Sequence, residues 1–566
     1  MTDTQPLSEP TLADMAAKAF VDGDEAYQKG DVNKALNHYL TALVHDPGHA
    51  LYRRGALKAL NMVRAYKAMP ASVVRALEGC ADDPTLDLQA MARIAANLLR
   101  GDSRLESLQT LLSAQDRVFA NAVADKSLDW VLAHRLLISA LEHSNICDED
   151  LETTLTSMRR QVMRLALTRD GWQAFQSYRP FLAALARQCI ITRHIWVEQP
   201  DERAHVATLT NNTTISVADR ALLRCLYEPL SALTAAETES LPPILHDIVL
   251  NRVREKELAA TLPEVTPISS GMSNSMKAQY EGFPYPPWKQ YGSGVALTLN
   301  QFLQIYVPAL AYPLPNAGVF DILISGCGTG RFTNELARML PFARIRAVDL
   351  SRTSLGYAAR MAESNGVKNV SFGVADIRML GRIPKRFSFI ECGGVLHHMA
   401  NPAEGLQILR DLLLPGGLLR IALYSDRARA DVTLAREFVM ARNFEDSIQG
   451  MRAARQAIFT LPKTDPVRRV ARRPDFYSAD SLHDLVFNVH EIRFTPLSMK
   501  NMFAELGLTF LGIVVENPLR RSQYLAANPD DPHCRDLDRW EEFEKSYADT
   551  FNGMFQMWLQ KPLGAT

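Results

Sequence analysis

Up to about residue 270 the apolar positions recur with the 3.6-residue period of helices, in segments rich in Leu, Ala and Arg with few β-branched runs. The pattern predicts a helical domain over residues 1–262. Within it, residues 16–49 carry the alternation of small and large positions expected of a 34-residue helical hairpin. Gly23 stands where two helices approach closely, and Tyr27 fills the groove. Gly30 and Asp31 make the turn, Ala35, Tyr39 and Ala42 face the partner helix, and Pro47 ends the pair. A degenerate second unit is read over 50–63, and residues 70–260 read as further packed helices without a clean repeat.

The pattern changes at residue 263. An irregular stretch to 294 holds the aromatic-proline string AQYEGFPYPPW. Short apolar runs then alternate with amphipathic ones. Strands are expected at 321–324, 345–348, 370–374, 388–390 and 418–424, with helices at 332–340, 354–364 and 405–414. A helical stretch is read over 427–460, a helix over 497–506, a strand over 510–515 and a final amphipathic helix over 537–559. The rhythm predicts an α/β domain with a parallel-rich sheet, preceded by the all-α region. The expected divisions are a linker and lid at 263–300, a nucleotide-binding core at 301–425, a helical insertion or cap at 426–495, and the domain's end with a C-terminal helix at 496–566.

Composition narrows the partners. The 566 residues are 47% apolar and 22% charged, and 62 Lys+Arg against 63 Asp+Glu leave a net charge of −1. Whole-chain electrostatics therefore gives no pull toward nucleic acid or a membrane. A local basic cluster, Lys463, Arg468, Arg469, Arg472 and Arg473, has no interleaved aromatic platform, so nucleic acid is disfavoured. The cysteines at 80, 147, 189, 225, 327, 392 and 534 form no C-x-x-C pair, which argues against a zinc ribbon or a disulfide framework. The opening MTDTQPLSEP lacks a secretory pattern, and the most apolar stretch, 181–197, is broken by Arg187, Arg193 and His194. A cytoplasmic protein with no membrane partner and no metal site is expected.

The chemistry centres on Ile322-Leu323-Ile324-Ser325-Gly326-Cys327-Gly328-Thr329-Gly330, a buried strand running into a glycine-rich turn before a helix. Backbone without Cβ atoms can pass close beneath a flat cofactor. Nineteen residues after Gly330, at the end of the next strand, Asp349 is placed to accept from ribose hydroxyls, with Leu350 beside it. One strand later Asp376, followed by Ile377, is placed to accept from an adenine amino group. Arg331 stands where a dinucleotide fingerprint needs glycine. The G-x-G-x-G spacing instead resembles motif I of class I S-adenosylmethionine-dependent methyltransferases. The order of Asp349, Asp376, Phe389 to Met399 and the turn Leu414-Pro415-Gly416-Gly417 resembles that family as well.

The resemblance implies a Rossmann-like domain that binds S-adenosylmethionine through Gly326, Cys327, Gly328, Thr329, Gly330, Asp349, Leu350, Asp376 and Ile377. Ser325 departs from it, since many members place an acidic residue there. The whole chain resembles a bacterial group of tetratricopeptide-repeat-containing methyltransferases, with residues 16–49 as the repeat. The shared string is Gln279, Tyr280, Glu281, Pro284, Tyr285, Pro286 and Trp288. Further matches are Asp475 to Ser478, Val489 to Thr495, and Asp549 to Phe551 with Gly553 and Met554 through Trp558; Pro287 and His483 depart from the pattern.

Candidates for the chemistry follow. His397 and His398 come after the fourth strand, where at most one of two neighbours faces a pocket, and Glu391 opens that loop. Tyr280 and Tyr285 are read as a stiff lid over the methionine end of the cofactor, and His490, Glu491 and Arg493 as a roof for the acceptor. The resulting expectation is a methyltransferase acting on a protein or peptide recruited by the helical domain. The alternative is a small-molecule or, less favoured, RNA methyltransferase whose helical domain dimerises or caps the pocket.

Overall fold

The computed structural model describes residues 11–564 apart from 63–68, 82, 84–85, 114–115, 270, 287, 289–294 and 317. Pro287 and the first ten residues therefore lie outside the described residues. The chain divides into two units, Met1–Val249 with Ala471–Ala479, and Leu250–Val470 with Asp480–Thr566.

The first unit is helical throughout its described residues. It begins with the helices Leu12–Gln28, Val32–His45 and Ala50–Leu60. Tyr39 occupies the groove between them: Cβ atoms added at Gly23 and Gly55 would each come within 2.8 Å of its ring, so both positions require glycine. Its hydroxyl donates to Asp24 Oδ1 at 2.6 Å. Tyr27, expected in that groove, is half-buried under the Lys58 ammonium, 3.6 Å from its ring centre. The segment 471–479 joins this unit by a hydrogen bond from the Ala479 amide to the Thr192 carbonyl.

In the second unit, alternating apolar residues build a seven-stranded sheet. The strands are β1 (Asp321–Ser325), β2 (Arg344–Asp349), β3 (Val370–Val374), β4 (Phe387–Gly393), β5 (Leu413–Tyr424), β6 (Thr509–Val514) and β7 (Met554–Gln560). Their order is β3-β2-β1-β4-β5-β7-β6. The first five are parallel, and β7 runs antiparallel to both β5 and β6. This is the expected Rossmann-like class I architecture. Along β1, Ile322 and Ile324 pack on one face with Leu336 and Trp558, while Leu323 enters the opposite core with Leu406 and Phe503. Beyond β3, the Val265 amide donates to the Val374 carbonyl at 2.8 Å and the Val374 amide to the Pro263 carbonyl at 2.9 Å, covering that sheet edge.

Three expectations need correction. The final helix stops at Ser546, and Met554–Gln560 is strand β7. Its alternation has period two: Phe555, Met557 and Leu559 enter one core and Trp558 the other. The stretch read as irregular contains the helix Met272–Gly282, and 427–460 divides into Ala430–Ala441 and Ile448–Phe459. In the basic cluster, Arg468 is buried, donating to the Ile458 carbonyl at 2.8 Å. All seven cysteines are free thiols. Among the described residues no helix is long and apolar enough to cross a membrane.

Candidate cofactor and active site

The strand order reverses direction between β1 and β4, and open α/β sheets bind ligands in the crevice above such a point. A cavity of about 590 Å³ lies there, walled by the loops after β1, β2, β3 and β4 and by the helix Met272–Gly282. The glycine loop forms its floor. Gly328 has φ +51°, and a Cβ there would lie 2.7 Å from the Tyr285 carbonyl oxygen, so a side chain is excluded.

The aromatic-proline string straps this loop. The Thr329 hydroxyl donates to the Pro286 carbonyl, and Trp288 Nε1 donates to the Thr329 carbonyl at 2.8 Å. Glu281 accepts from the Arg352 and Thr353 amides at 2.7 and 3.1 Å, capping the helix Arg352–Ser364. Tyr280 lines the cavity and donates its hydroxyl to Asp484 Oδ1 at 2.8 Å. Tyr285 lines it too.

Asp349 Oδ2 accepts from the Gly328 amide at 2.8 Å and Oδ1 from the Ser351 amide at 2.9 Å. Each oxygen keeps a lone pair for a further donor, and enclosure raises the carboxyl pKa. Asp376 is more fully engaged. Oδ2 accepts both the amide and the hydroxyl of Ser269, and Oδ1 the Arg378 amide at 2.9 Å. Burial opposes its charge, but these donors hold its pKa below the usual carboxylate value. Leu350 and Ile377 line the wall beside them.

At the β4 end, Glu391 is buried, and Oε1 accepts from Arg420 Nη1 at 3.1 Å. Burial pushes its pKa up to about 7 against the opposing pull of Arg420. His398 also lines the cavity. Its Nδ1 is 2.8 Å from the His490 carbonyl, which can only accept, so Nδ1 carries the proton and Nε2 keeps its lone pair. No other described residue bonds Nε2. Burial lowers the His398 pKa, with Asp484 and Glu491 opposing, so the ring is neutral near pH 7.

Residues 320–460 match the family model described as a methyltransferase domain. The second unit carries a methyltransferase domain. An uncharacterized protein of Synechococcus sp. is 30% identical over 281 residues, covering 48% of this chain and 65% of its own length. Malonyl-[acyl-carrier protein] O-methyltransferase of Halalkalibacterium halodurans is 36% identical over 106 residues, 18% of this chain and 38% of that protein. Ubiquinone biosynthesis O-methyltransferase of Coxiella burnetii is 25% identical, covering 27% and 64%. The chain thus spans less than two thirds of the length of these curated relatives. Among solved structures, PKMT2 from Rickettsia typhi in complex with AdoHcy superposes with a TM-score of 0.37 at 19% identity, covering 50% of this chain and 55% of that one.

In the second unit, Gly326, Cys327, Gly328, Asp349, Leu350, Asp376, Ile377, Tyr280, Tyr285, Glu391 and His398 share one cavity wall. Five other candidates lie off it. The Thr329 side chain is turned onto Pro286, and a Cβ at Gly330 would lie 2.5 Å from Ala358 Cβ, against the neighbouring helix. His397 is fully buried, stacked 3.6 Å from the Tyr424 ring, and among the described residues neither of its nitrogens has a hydrogen-bond partner. His490 contributes its backbone carbonyl to His398 rather than its ring. Arg493 pairs with Asp426 at 3.1 Å. Of the neighbouring residues read as a roof, Glu491 is tied to Arg429 at 2.8 Å.

Sequence reasoning missed Asp484, Arg420, Gln556 and the cavity-lining Met272 and Met276. Arg420 sits in the apolar run of β5, and its charge there was the one available signal.

Proposed function

We propose that the chain is an S-adenosylmethionine-dependent methyltransferase acting on a proton-bearing oxygen or nitrogen acceptor, a protein or peptide recruited through the helical unit. The observation that carries the reading is one cavity at the switch point, floored by a side-chain-free loop and walled by Asp349 with two oxygens still able to accept. Those residues fit the cofactor: a carboxylate already fixed by two backbone amides suits the two hydroxyls of a ribose, and Gly328 leaves room for close approach.

The bound cofactor supplies an electrophilic methyl group. His398, neutral and held by the His490 carbonyl, takes on Nε2 the proton that the acceptor sheds. Tyr280, fixed by Asp484, and Tyr285, on the strap across the glycine loop, close the cavity and exclude water from the transfer. Support for a peptide acceptor comes from the first helices, which leave Leu12, Val21 and Leu51 more than half exposed. The second reading, a small-molecule acceptor with the helical unit dimerising or capping, is favoured by the name of the relative from Coxiella burnetii, a ubiquinone biosynthesis O-methyltransferase.

The test incubates the full-length protein and methyl-labelled S-adenosylmethionine with a lysate fractionated into protein, RNA and small molecules. Label in the protein fraction supports the peptide reading, and label in small molecules alone supports the second. No transfer to any fraction, together with no binding of S-adenosylhomocysteine by calorimetry, sinks the methyltransferase reading.

A further inference from the structure

The sheet order lays the carboxylates of the cavity in a row. Asp376 follows β3, Asp349 ends β2, the glycine loop follows β1, and Glu391 lies on β4 in register with Ile324 of β1. Neighbouring strands are about 4.8 Å apart, so Glu391 stands roughly 10 Å along the sheet edge from Asp349. With a ribose on Asp349 and its base directed toward β3, the amino-acid chain of the cofactor runs toward β4.

The three carboxylates differ in what they still lack. Asp376 Oδ2 already takes two donors from Ser269, and both Asp349 oxygens take a backbone amide. Glu391 takes one side-chain donor, Arg420 Nη1 on Oε1, and among the described residues no side-chain donor reaches Oε2. Arg420 is fixed in turn. Nη2 donates to Gln556 Oε1, whose Nε2 donates to Glu516 at 2.6 Å, and the guanidinium lies 4.6 Å from the Phe332 ring centre. A buried carboxylate with an open oxygen facing a cavity is stabilised as an anion by a further donor, and most strongly by a cationic one.

We propose that Glu391, positioned by Arg420, is the binding group for the α-ammonium at the amino-acid end of S-adenosylmethionine, an assignment that rests on the cofactor reading above. Burial raises the Glu391 pKa against the pull of Arg420, which fits a carboxylate with capacity for a further cationic donor. Arg420 is a positioning residue: it orients one oxygen and leaves the other to the ligand.

The test compares two ligands by calorimetry, S-adenosylhomocysteine and 5′-methylthioadenosine, which lacks the amino-acid chain. Glu391→Gln is expected to weaken S-adenosylhomocysteine about tenfold, the scale of one charge-assisted hydrogen bond, and to leave methylthioadenosine within twofold of wild type. Glu391→Asp, which keeps the charge on a shorter arm, is expected to recover part of the loss. Unchanged S-adenosylhomocysteine affinity in Glu391→Gln, or an equal loss for both ligands, overturns the assignment. Failure of the wild type to bind either ligand removes the cofactor reading itself, an outcome distinct from either of those.

Discussion

Two buried glutamates, one in each unit, show how differently the same side chain can be satisfied. Glu237 in the helical unit is 2% exposed, and Glu391 in the sheet unit is 4% exposed. Burial opposes the charge of both. At Glu237, Oε2 accepts the Thr234 amide and hydroxyl at 3.0 and 3.1 Å and Arg224 at 2.6 Å, while Oε1 accepts Arg220 at 3.2 Å. Those donors outweigh burial and pull its pKa down to about 2. At Glu391 one arginine and the Gly393 amide do not offset burial, and the value rises to about 7. Two things differ: Glu237 has more donors, and Glu391 is enclosed by more protein, which strengthens the burial penalty on its charge. A filled shell marks a structural anion, and an unfilled one facing a cavity marks a binding group.

The largest effect should come from the other buried group with an open valence, His398. His398→Gln is expected to lower kcat by about 100- to 10,000-fold, the usual contribution of a positioned base, with S-adenosylhomocysteine affinity within threefold of wild type. Burial lowers the imidazole pKa, so the acid limb of the wild-type pH–rate profile should lie below pH 6.5 and disappear in the variant. Loss of affinity in step with loss of rate would break the comparison, because His398 would then be a packing residue like His397. Next in size is Asp349→Ala, expected to weaken S-adenosylhomocysteine by about 100-fold through loss of two charge-assisted hydrogen bonds. Equal binding by wild type and variant would remove the cavity from cofactor recognition.

Glu237→Gln sharpens the contrast from the structural side. It should destabilise the protein by about 2 kcal/mol at pH 7, because Arg224 and Arg220 lose the anion between them, while S-adenosylhomocysteine affinity is unchanged. The folded-state pKa lies below the unfolded value of 4.5, so the stabilisation is complete above that pH and is lost as pH falls toward 2. The variant's unfolding midpoint should therefore change less with pH over that window than the wild type's, as read by denaturant titration.

The parts of this contrast that the sequence carried are local ones. The glycine spacing, Asp349 and the strand–helix rhythm from 321 to 424 are legible because each follows from a backbone or side-chain requirement within a few residues. What escaped depends on distant pairing. Sequence alone reads strand β7 as the end of a helix because Met554, Met557 and Trp558 also satisfy helical spacing; only pairing with β6, about forty residues earlier, and β5, more than a hundred residues earlier, selects period two. Arg420 and Gln556 pair across β5 and β7, so their role was hidden by the same omission. His397 and His398 are equivalent in sequence, and the His490 carbonyl, ninety-two residues away, distinguishes them.

The smallest expected effect reads the open valence of Glu391 directly. A cation arriving at a carboxylate with pKa about 7 favours the charged form, so binding S-adenosylhomocysteine at pH 7 should release a fraction of a proton, at most about half. The ionisable groups facing Glu391 are Arg420 and the thiols of Cys327 and Cys392. Burial raises both thiol pKa values well above their usual level, so neither titrates near neutrality. Calorimetry in two buffers of different ionisation enthalpy measures the release. It should fade by pH 9, where Glu391 is already ionised in the free protein, and be absent from Glu391→Gln at every pH. Glu237 is saturated by its arginines and contributes nothing to this exchange, so the Glu237→Gln protein should release as much proton as wild type. A release that persists in Glu391→Gln would place the titrating group elsewhere on the wall, with Asp349, whose pKa enclosure also raises, the first to replace next.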